Sequence, residues 1–457
     1  MAILQRLGLD RPELRAWALY DWANSAFITV VVAAVFPPFF VAVAADGFER
    51  SEATRRFTLV TTIALAIIAV ASPLLGAIAD RAPVKKRMLL TFSTLGALAT
   101  AAMGLIGPGD WVLALVLFGL TNIAANGAFV FYDALLPHIA RPAEVDRVST
   151  AGYALGYLGG GLLLMVGGLA IGDPARFGLP DKTTAVQVLF VVTGVWWAAF
   201  TIPLMLRVRE PHLPPERRAR GLAAIRAALG DLRHTFRELR RYRHATLLLV
   251  AFLIYNDGIG TIFRMASVYG AEIGLETGQM ISALVLVQFV GIPATFAFGW
   301  LAGRIGTRPS ILLGLALYCL VSVLGYYMTT TRDFFMLAGL VGLVQGGTQA
   351  LSRSLFASMI PRDRSSEFFG LFAVFEKFAG ILGPAIFTIA VSLTGSSRPA
   401  ILSIIAFFVV GGLLLLRVDV AAGRAAARAA DAEADATRPE ARGVNADSAS
   451  DGGLPRT

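Results

Sequence analysis

Charged side chains interrupt otherwise apolar stretches of this 457-residue sequence at Asp21, Asp133, Asp257, Arg264, Arg353, Glu376 and Lys377. A charge at mid-membrane costs roughly 2.5–3.5 kcal/mol on insertion scales, so such residues face a cavity or a partner rather than lipid. Polar side chains gather beside them at helical spacing. Asn122, Asn126 and Asp133 fall at i, i+4 and i+11, on one side of a helix. Gln345, Gln349 and Arg353 are successive i+4 steps; Tyr20, Asp21 and Asn24 form one patch, answered later in the chain by Tyr255, Asn256 and Asp257. Asp257 and Arg264 are seven apart, two turns along one face. The chemistry open to these residue types is recognition and ion coupling. A guanidinium grips a carboxylate at two points, a carboxylate holds an amine, and the amides and phenols orient what lies between. Asp21, Asp257 and Glu376 are the carboxylates that could carry a coupling proton. The amides have a plainer use as well, hydrogen-bonding one helix to the next.

Catalysis lacks a comparable constellation. Cys319 is the sole cysteine, which excludes an intrachain disulfide or a cysteine metal cluster. His138, His212, His234 and His244 lie in or beside loops, so there is no intramembrane histidine relay. The glycine-rich runs at 158–168 and 410–412 lie inside apolar segments, where small residues permit close packing. No enzyme, no metal and no cofactor is expected.

The elements that must position these groups are set by composition. Apolar residues make up 56% and charged ones 16%, against about 25% charged in soluble proteins, and the mean hydropathy is +0.67. This is a polytopic membrane protein. A span takes about 20 apolar residues, and candidates fall at 17–45, 57–79, 88–106, 111–136, 150–171, 185–206, 244–268, 278–302, 309–328, 333–360, 366–392 and 399–416. Pro37-Pro38 is expected to break or kink the first near its outer end. Spans 3, 6, 9 and 12 carry no charge, whereas 1, 4, 7 and 10 do. Every third helix is polar, the pattern of a cavity lined by the first helix of each three-helix repeat. The fold expected is all-α, with two pseudo-symmetric six-helix bundles (1–206 and 244–417), a basic cytoplasmic linker (207–243) and a disordered tail (418–457). In the linker, Leu222, Ile225, Leu229, Leu232, Phe236 and Leu239 repeat at alternating spacings of three and four, as in an amphipathic helix lying on the leaflet.

Lys and Arg placement orients the chain. Segments that are cytoplasmic when both termini are inside carry 30 basic residues, the opposite loops 7, and the spans 3 of the 40 in all. The isoelectric point near 10 therefore reflects loops anchored at an anionic leaflet and not nucleic-acid binding. Arg6, Arg11 and Arg15 precede a long apolar stretch with no small-residue cleavage site, so the first span is expected to be retained. The halves also echo one another. Gly76-Ala-Ile-Ala-Asp80-Arg81 is matched 223 residues on by Gly299-Trp-Leu-Ala-Gly303-Arg304, and Pro137 is matched 224 residues on by Pro361.

Gly76-X-X-X-Asp80-Arg81 followed by Lys85-Lys86-Arg87 is similar to the cytoplasmic loop motif of the major facilitator superfamily, with Ala82-Pro83 displacing the usual glycine. Within it, Tyr20-Asp-Trp-Ala-Asn-Ser-Ala-Phe27, Phe36-Pro-Pro-Phe39, Asn256-Asp-Gly258, Gln345-Gly-Gly-Thr-Gln-Ala-Leu-Ser-Arg-Ser354 and Glu367-Phe-Phe-Gly370 resemble the autophagy-type vacuolar amino-acid effluxers and their bacterial relatives, over residues 16 to about 416. The resemblance implies alternating access and, from the fungal members, amino-acid efflux. Span 5 has glycines but no Gly-Pro, a departure from the superfamily's antiporter pattern; Gly383-Pro384 lies in span 11 instead.

The sequence thus points to a secondary transporter of a small polar or zwitterionic solute, coupled to a proton or sodium ion and acting as a monomer in the cell (inner) membrane. A non-transporting receptor or scaffold on the same fold is the alternative. Tyr20, Asn24, Asn122, Asn126, Tyr255, Asn256, Gln345, Gln349 and Arg353 are the candidate substrate contacts. Gly76, Asp80, Arg81, Arg87 and Asp133 are the candidate gate. Asp80 is expected to cap the helix starting at Ser365, Ser366 and Glu367, Asp133 to pair with Arg81 or Arg87, and Arg353 to pair with Glu376 or Asp257. Asp257 lies about thirteen residues into its span, roughly 20 Å deep. Asp257→Asn is therefore expected to abolish proton-driven accumulation while sparing exchange of labelled for unlabelled solute, because exchange needs no net proton movement. Accumulation that survives in the mutant removes Asp257 from coupling.

Overall fold

Backbone buried in lipid must close its hydrogen bonds within the segment or within a closed barrel, and apolar runs of this length do so as helices. The computed structural model describes residues 4–5, 7–212, 241–272, 275, 277–378, 386 and 401–436, and among them no strand occurs. The first bundle is α1 (Pro12–Ala44), α2 (Arg50–Arg81), α3 (Lys85–Ala102), α4 (Trp111–Ile139), α5 (Val145–Gly172) and α6 (Lys182–Arg207). The second is α7 (Arg243–Glu272), α8 (Thr277–Ile305), α9 (Thr307–Tyr327), α10 (Thr331–Ala357), α11 (Ser365–Phe378) and α12 (Ile405–Leu416). Ten helices among the described residues are long and apolar enough to cross a membrane, or eleven if α12 is counted with the helix after it. The outer part of the eleventh span, like the linker helix expected over 222–239, lies outside the described residues.

Local chemistry fixes where the helices begin. Pro12 and Glu13 open α1, a proline in the first turn and an acid at the positive end of the dipole. The backbone N–H groups of Lys85 and Lys86 donate to Glu210 at 2.7 and 2.9 Å, so the segment leaving α6 returns to cap α3. Thr330 and Asp333 form a reciprocal capping box at α10. Pro37-Pro38 does not break α1. The helix instead widens into π-helical turns over Phe27–Val35 and again over Phe40–Ala44. The Phe36 N–H reaches the carbonyl of Val31, five residues back, and the extra residue per turn makes room for the proline rings.

Leu59, Ile63, Ile67 and Val70 recur every three or four positions and are exposed, the lipid-facing stripe of α2. Inside the first bundle, Phe36 stacks on Phe118 at 4.3 Å and Phe27 on Trp197 at 5.4 Å. In the second, Tyr318 stacks on Phe408 and Phe252 on Phe372. The bundles meet along two seams, α2 with α11 and α5 with α8. Each seam closes on a glycine of the repeated loop motif. A Cβ at Gly76 would fall inside the Ser366 carbonyl, and one at Gly299 inside the Thr150 hydroxyl.

The tail expected to be disordered from 418 is not so at its start. Val420–Ala436 forms a helix, α13, bent 61° from α12. Asp419 begins it by accepting the Ala422 N–H at 2.9 Å, a bond that holds its carboxyl below the usual carboxylate range. Arg241 donates to Glu433 at 2.7 Å, the Arg362 N–H to Asp431 at 2.8 Å, and Arg424 to Ser358 at 3.1 Å. A shortage of large apolar residues says little against a helix when alanine, the best helix former, is abundant. Residues 437–457 lie outside the described residues.

Because the Gly76 seam has no space for a side chain, Gly76→Val is expected to prise α2 from α11 and expose the cytoplasmic ends of the bundles. The check is labelling of a reporter cysteine at buried Ala79 in a Cys319→Ser background. Faster modification than in the Gly76 parent is the expected result, and an unchanged rate refutes the seam's role.

Candidate functional site

Arg353 sits four residues before the end of α10 at Ala357, about 6 Å along the axis from its C-terminal end. Every group that receives its guanidinium belongs to the other bundle. Nη1 donates to Asp133 at 3.1 Å and to Asp21 at 3.3 Å; Nη2 donates to Asp21 at 3.2 Å and to the Ser149 carbonyl at 3.0 Å; Nε donates to the Ser149 hydroxyl at 3.0 Å. A guanidinium has five N–H donors, and all five are taken. Three ring faces surround it: Tyr153 at 4.5 Å, Trp17 at 4.9 Å and Tyr132 at 5.6 Å from the guanidinium carbon.

The seat is braced from within the first bundle. Trp17 stacks on Tyr132 at 4.4 Å and donates its indole N–H to the Tyr132 carbonyl, while the Tyr132 hydroxyl donates to Asp21 at 2.9 Å. Gly152 of α5 forms the open wall. A Cβ there would lie 2.5 Å from an Asp21 carboxylate oxygen and 3.2 Å from Arg353 Nη2. The side chains of Arg353, Asp21 and Asp133 are 3%, 5% and 13% exposed, so charges facing one another are shielded from water. Two carboxylates share one guanidinium, and Glu376 on α11 is near enough for its charge to act on Asp133.

These partners correct two expectations. Arg353 meets Asp21 and Asp133, not Glu376 or Asp257, and Asp133 meets Arg353, not Arg81 or Arg87. Arg87 is exposed and Arg81 half-buried on the loop side of α2. Helical spacing identifies which residues share a face, but which faces of two bundles meet depends on how the bundles dock.

Further polar contacts join the bundles on the two seams. Asp80 accepts the Ser366 and Glu367 N–H groups at 3.2 and 2.7 Å, capping α11 as expected. It also pairs with Lys85 at 2.7 Å, whose ammonium reaches the Ser365 hydroxyl at 2.9 Å and His138 at 3.3 Å. On the opposite seam Asp146 of α5 accepts the hydroxyls of Ser354 at 2.5 Å and Thr307 at 2.7 Å, and the Ser149 hydroxyl donates to the Ala350 carbonyl at 2.7 Å. Both seams are thus pinned by polar contacts between the bundles.

The other candidates divide into braces and lining. The Tyr20 hydroxyl bonds Ser93 of α3 at 2.8 Å beside fully buried Asn24, and the Tyr255 hydroxyl bonds Ser352 of α10 at 2.6 Å, each within its own bundle. Asn122 and Asn126 donate to their own helix, to the Phe118 and Asn122 carbonyls. Gln349 reaches Asn256 at 3.4 Å, and Gln345 is half-buried one turn outward. Asp257 is buried on α7 and Glu376 half-buried on α11. The side chains of Arg264 and Lys377 lie outside the described residues. Sequence reasoning missed Trp17, Tyr132, Tyr153, Ser149 and Asp146, gave no role to Gly152, and had Lys85 only within the loop motif; among the missed residues only Tyr132, adjoining Asp133, carried a signal.

The profile of the family described as vacuole effluxer Atg22 like matches residues 48–428. The chain belongs to that family. A Bacillus subtilis (strain 168) protein named as the uncharacterized MFS-type transporter YxiO is 36% identical over 409 residues, covering 88% of this chain and 93% of that one. Autophagy-related protein 22-1 of Phaeosphaeria nodorum is 25% identical over 526 residues, with 92% of each chain covered. Among solved structures, the outward conformation of the major facilitator transporter FucP superposes with a TM-score of 0.67 at 12% identity, over 90% of this chain and 99% of that one. Human MFSD10 does so at 0.64 and 14%, over 88% and 99%. This Atg22-like chain is therefore a membrane transporter of major facilitator fold and not an enzyme.

Breaking a buried pair by removing one partner costs roughly 3–5 kcal/mol because it strands the other charge. Arg353→Ala and Asp133→Asn are expected to shift the protein towards cytoplasmic opening, read as faster labelling of the Ala79→Cys reporter. Arg353→Lys keeps the charge but has three donors for five acceptor contacts, so an intermediate rate is expected. A Lys variant that behaves as wild type would reduce Arg353 to a simple counter-ion.

Proposed function

We propose that this Atg22-like protein exports a small polar or zwitterionic, amino-acid-like solute by alternating access, rocking the two bundles about a midplane site. One observation carries the reading: the guanidinium of α10 is held entirely by carboxylates, rings, a hydroxyl and a backbone carbonyl of the opposite bundle. A permanent structural bond gains little from burying three ionisable groups. A bond that must form in one state and break in another gains a charge-assisted latch. Efflux as direction is supported by the description of the family.

In this reading Tyr20, Asn24, Asn122, Asn126, Tyr255, Asn256, Gln345 and Gln349 shape the solute path outward of the latch, and Gly76, Asp80, Arg81 and Arg87 belong to the cytoplasmic gate. Arg353 has no donor left for a solute while latched, so any grip on a carboxylate belongs to the open state. Asp21, Asp257 and Glu376 remain the coupling candidates, joined by Asp133, with a proton or sodium ion as the coupling species. The protein acts as a monomer in the inner membrane, both termini cytoplasmic, as the basic loops support. Neighbours of this fold are named for different cargoes, an organic anion for MFSD10 and iron for the transporter ferroportin, whose bacterial homologue is one such structure, so the fold does not choose the solute.

The test is flux in proteoliposomes loaded with mixed amino acids. Saturable counterflow that collapses in Arg353→Ala is the expected result. Specific ligand binding without any flux would favour a receptor.

A further inference from the structure

The seat of Arg353 is a cation receptor completed within one bundle. Trp17 and Asp21 come from α1, Tyr132 and Asp133 from α4, and Ser149, Gly152 and Tyr153 from α5. Only the cation comes from elsewhere. If the bundles rock as proposed above, Arg353 leaves with α10, while the two carboxylates, three ring faces and Ser149 carbonyl stay together. We infer that the vacated seat takes up the cationic group of the transported solute, so that the cargo carries an ammonium or guanidinium that replaces Arg353.

Three features favour an organic cation over the simpler ways of neutralising the seat. A proton needs an oxygen and no rings. A hard metal cation collects oxygens, and ring faces offer it none. Aromatic faces around a carboxylate are the surroundings that suit a weakly hydrated organic cation on a carbon stem, where cation–π attraction adds to charge.

The same exchange supplies what Arg353 needs. It cannot shed its proton, so once withdrawn it requires another anion, and a solute carboxylate presented from the cavity provides one. A zwitterion would then bridge the gap that the latch had closed, its cationic end in the first bundle and its carboxylate on the second. Such a cargo binds only the state in which Arg353 has left. A ligand shifts a conformational equilibrium only through different affinity for its two states, and direct competition with the latch is the strongest form of that difference. Loading from the cytoplasm would hold the gate open until the cargo moved inward and released the seat to Arg353.

The inference rests on the transport reading, and the test separates the two. Purified Arg353→Ala protein, shown to be folded by its thermal transition, is titrated calorimetrically with methylguanidinium. Saturable binding is expected, weakened about tenfold or more when Asp133→Asn is added. Protein with Arg353 intact but the seam wedged open by Gly76→Val is the second arm, and there methylguanidinium should also bind. In wild-type proteoliposomes, counterflow of labelled arginine should be inhibited by agmatine and not by glutamate. Failure of methylguanidinium to bind either folded variant would overturn the inference, as would amino-acid counterflow indifferent to agmatine. Absence of flux for every solute would sink the transport reading alone, since the titrations still decide the seat.

Discussion

A guanidinium cannot be neutralised by giving up its proton, so a protein that buries one near a membrane must supply an anion in every state it visits. Much of the cytoplasmic half of this transporter is arranged around that constraint. Arg353 draws α1, α4 and α5 of the first bundle towards α10 of the second, and the contact requires Gly152 to lack a side chain. The seams on either side bring Gly76 against Ser366 and Gly299 against Thr150, approaches that leave no room for a side chain. Opening one contact loosens the rest because packed interfaces are bistable and not continuously deformable.

Much of this was legible in the sequence, and the boundary is physical. Composition, hydropathy and basic-residue bias identified a polytopic helical protein, and the apolar runs located its spans. The capping of α11 by Asp80 followed from a motif that places an acid beside a helix start. Partner choice across the bundles was not legible. Asp21, Asp133 and Arg353 each stood out as expensive, but their meeting depends on the relative rotation of α1, α4 and α10, which no periodicity within one helix encodes. Tyr153 and Trp17 were invisible for a related reason: an aromatic residue in an apolar span looks like packing until a cation is placed over it. Pro37-Pro38 and the alanine-rich α13 misled in the opposite sense, since a π-helical widening absorbed the first and helix propensity without hydrophobicity built the second.

The halves of the chain repeat, yet the cytoplasmic contacts they make do not. In the first half the motif acid, Asp80, caps α11 and holds Lys85. In the second half Gly303 stands at the corresponding position, and no side chain is available there. The charge is supplied from the other direction, by Asp146 at the start of α5, which accepts hydroxyls from Ser354 and Thr307. The Asp80–Lys85 pair itself lies within the first bundle, so that seam is crossed by Asp80 to two backbone N–H groups and by Lys85 to the Ser365 hydroxyl. The other is crossed by Asp146 to hydroxyls of α10 and α9, which leaves the two seams with unequal partners.

That inequality bears on the latch. The seat of Arg353 includes Ser149, one turn beyond Asp146 on α5, and Ser149 also donates to the Ala350 carbonyl one turn before Arg353. The Asp146 contacts and the latch therefore share a helix, whereas Asp80 and Lys85 act from α2 and α3 and, in the second bundle, touch α11 alone. Loss of the Asp146 contacts would free the first turns of α5 and with them two of the five acceptors that hold the guanidinium. Loss of the Asp80 contacts would leave all five in place. The Asp146 contacts are thus coupled to the latch through α5, and the Asp80 contacts are not.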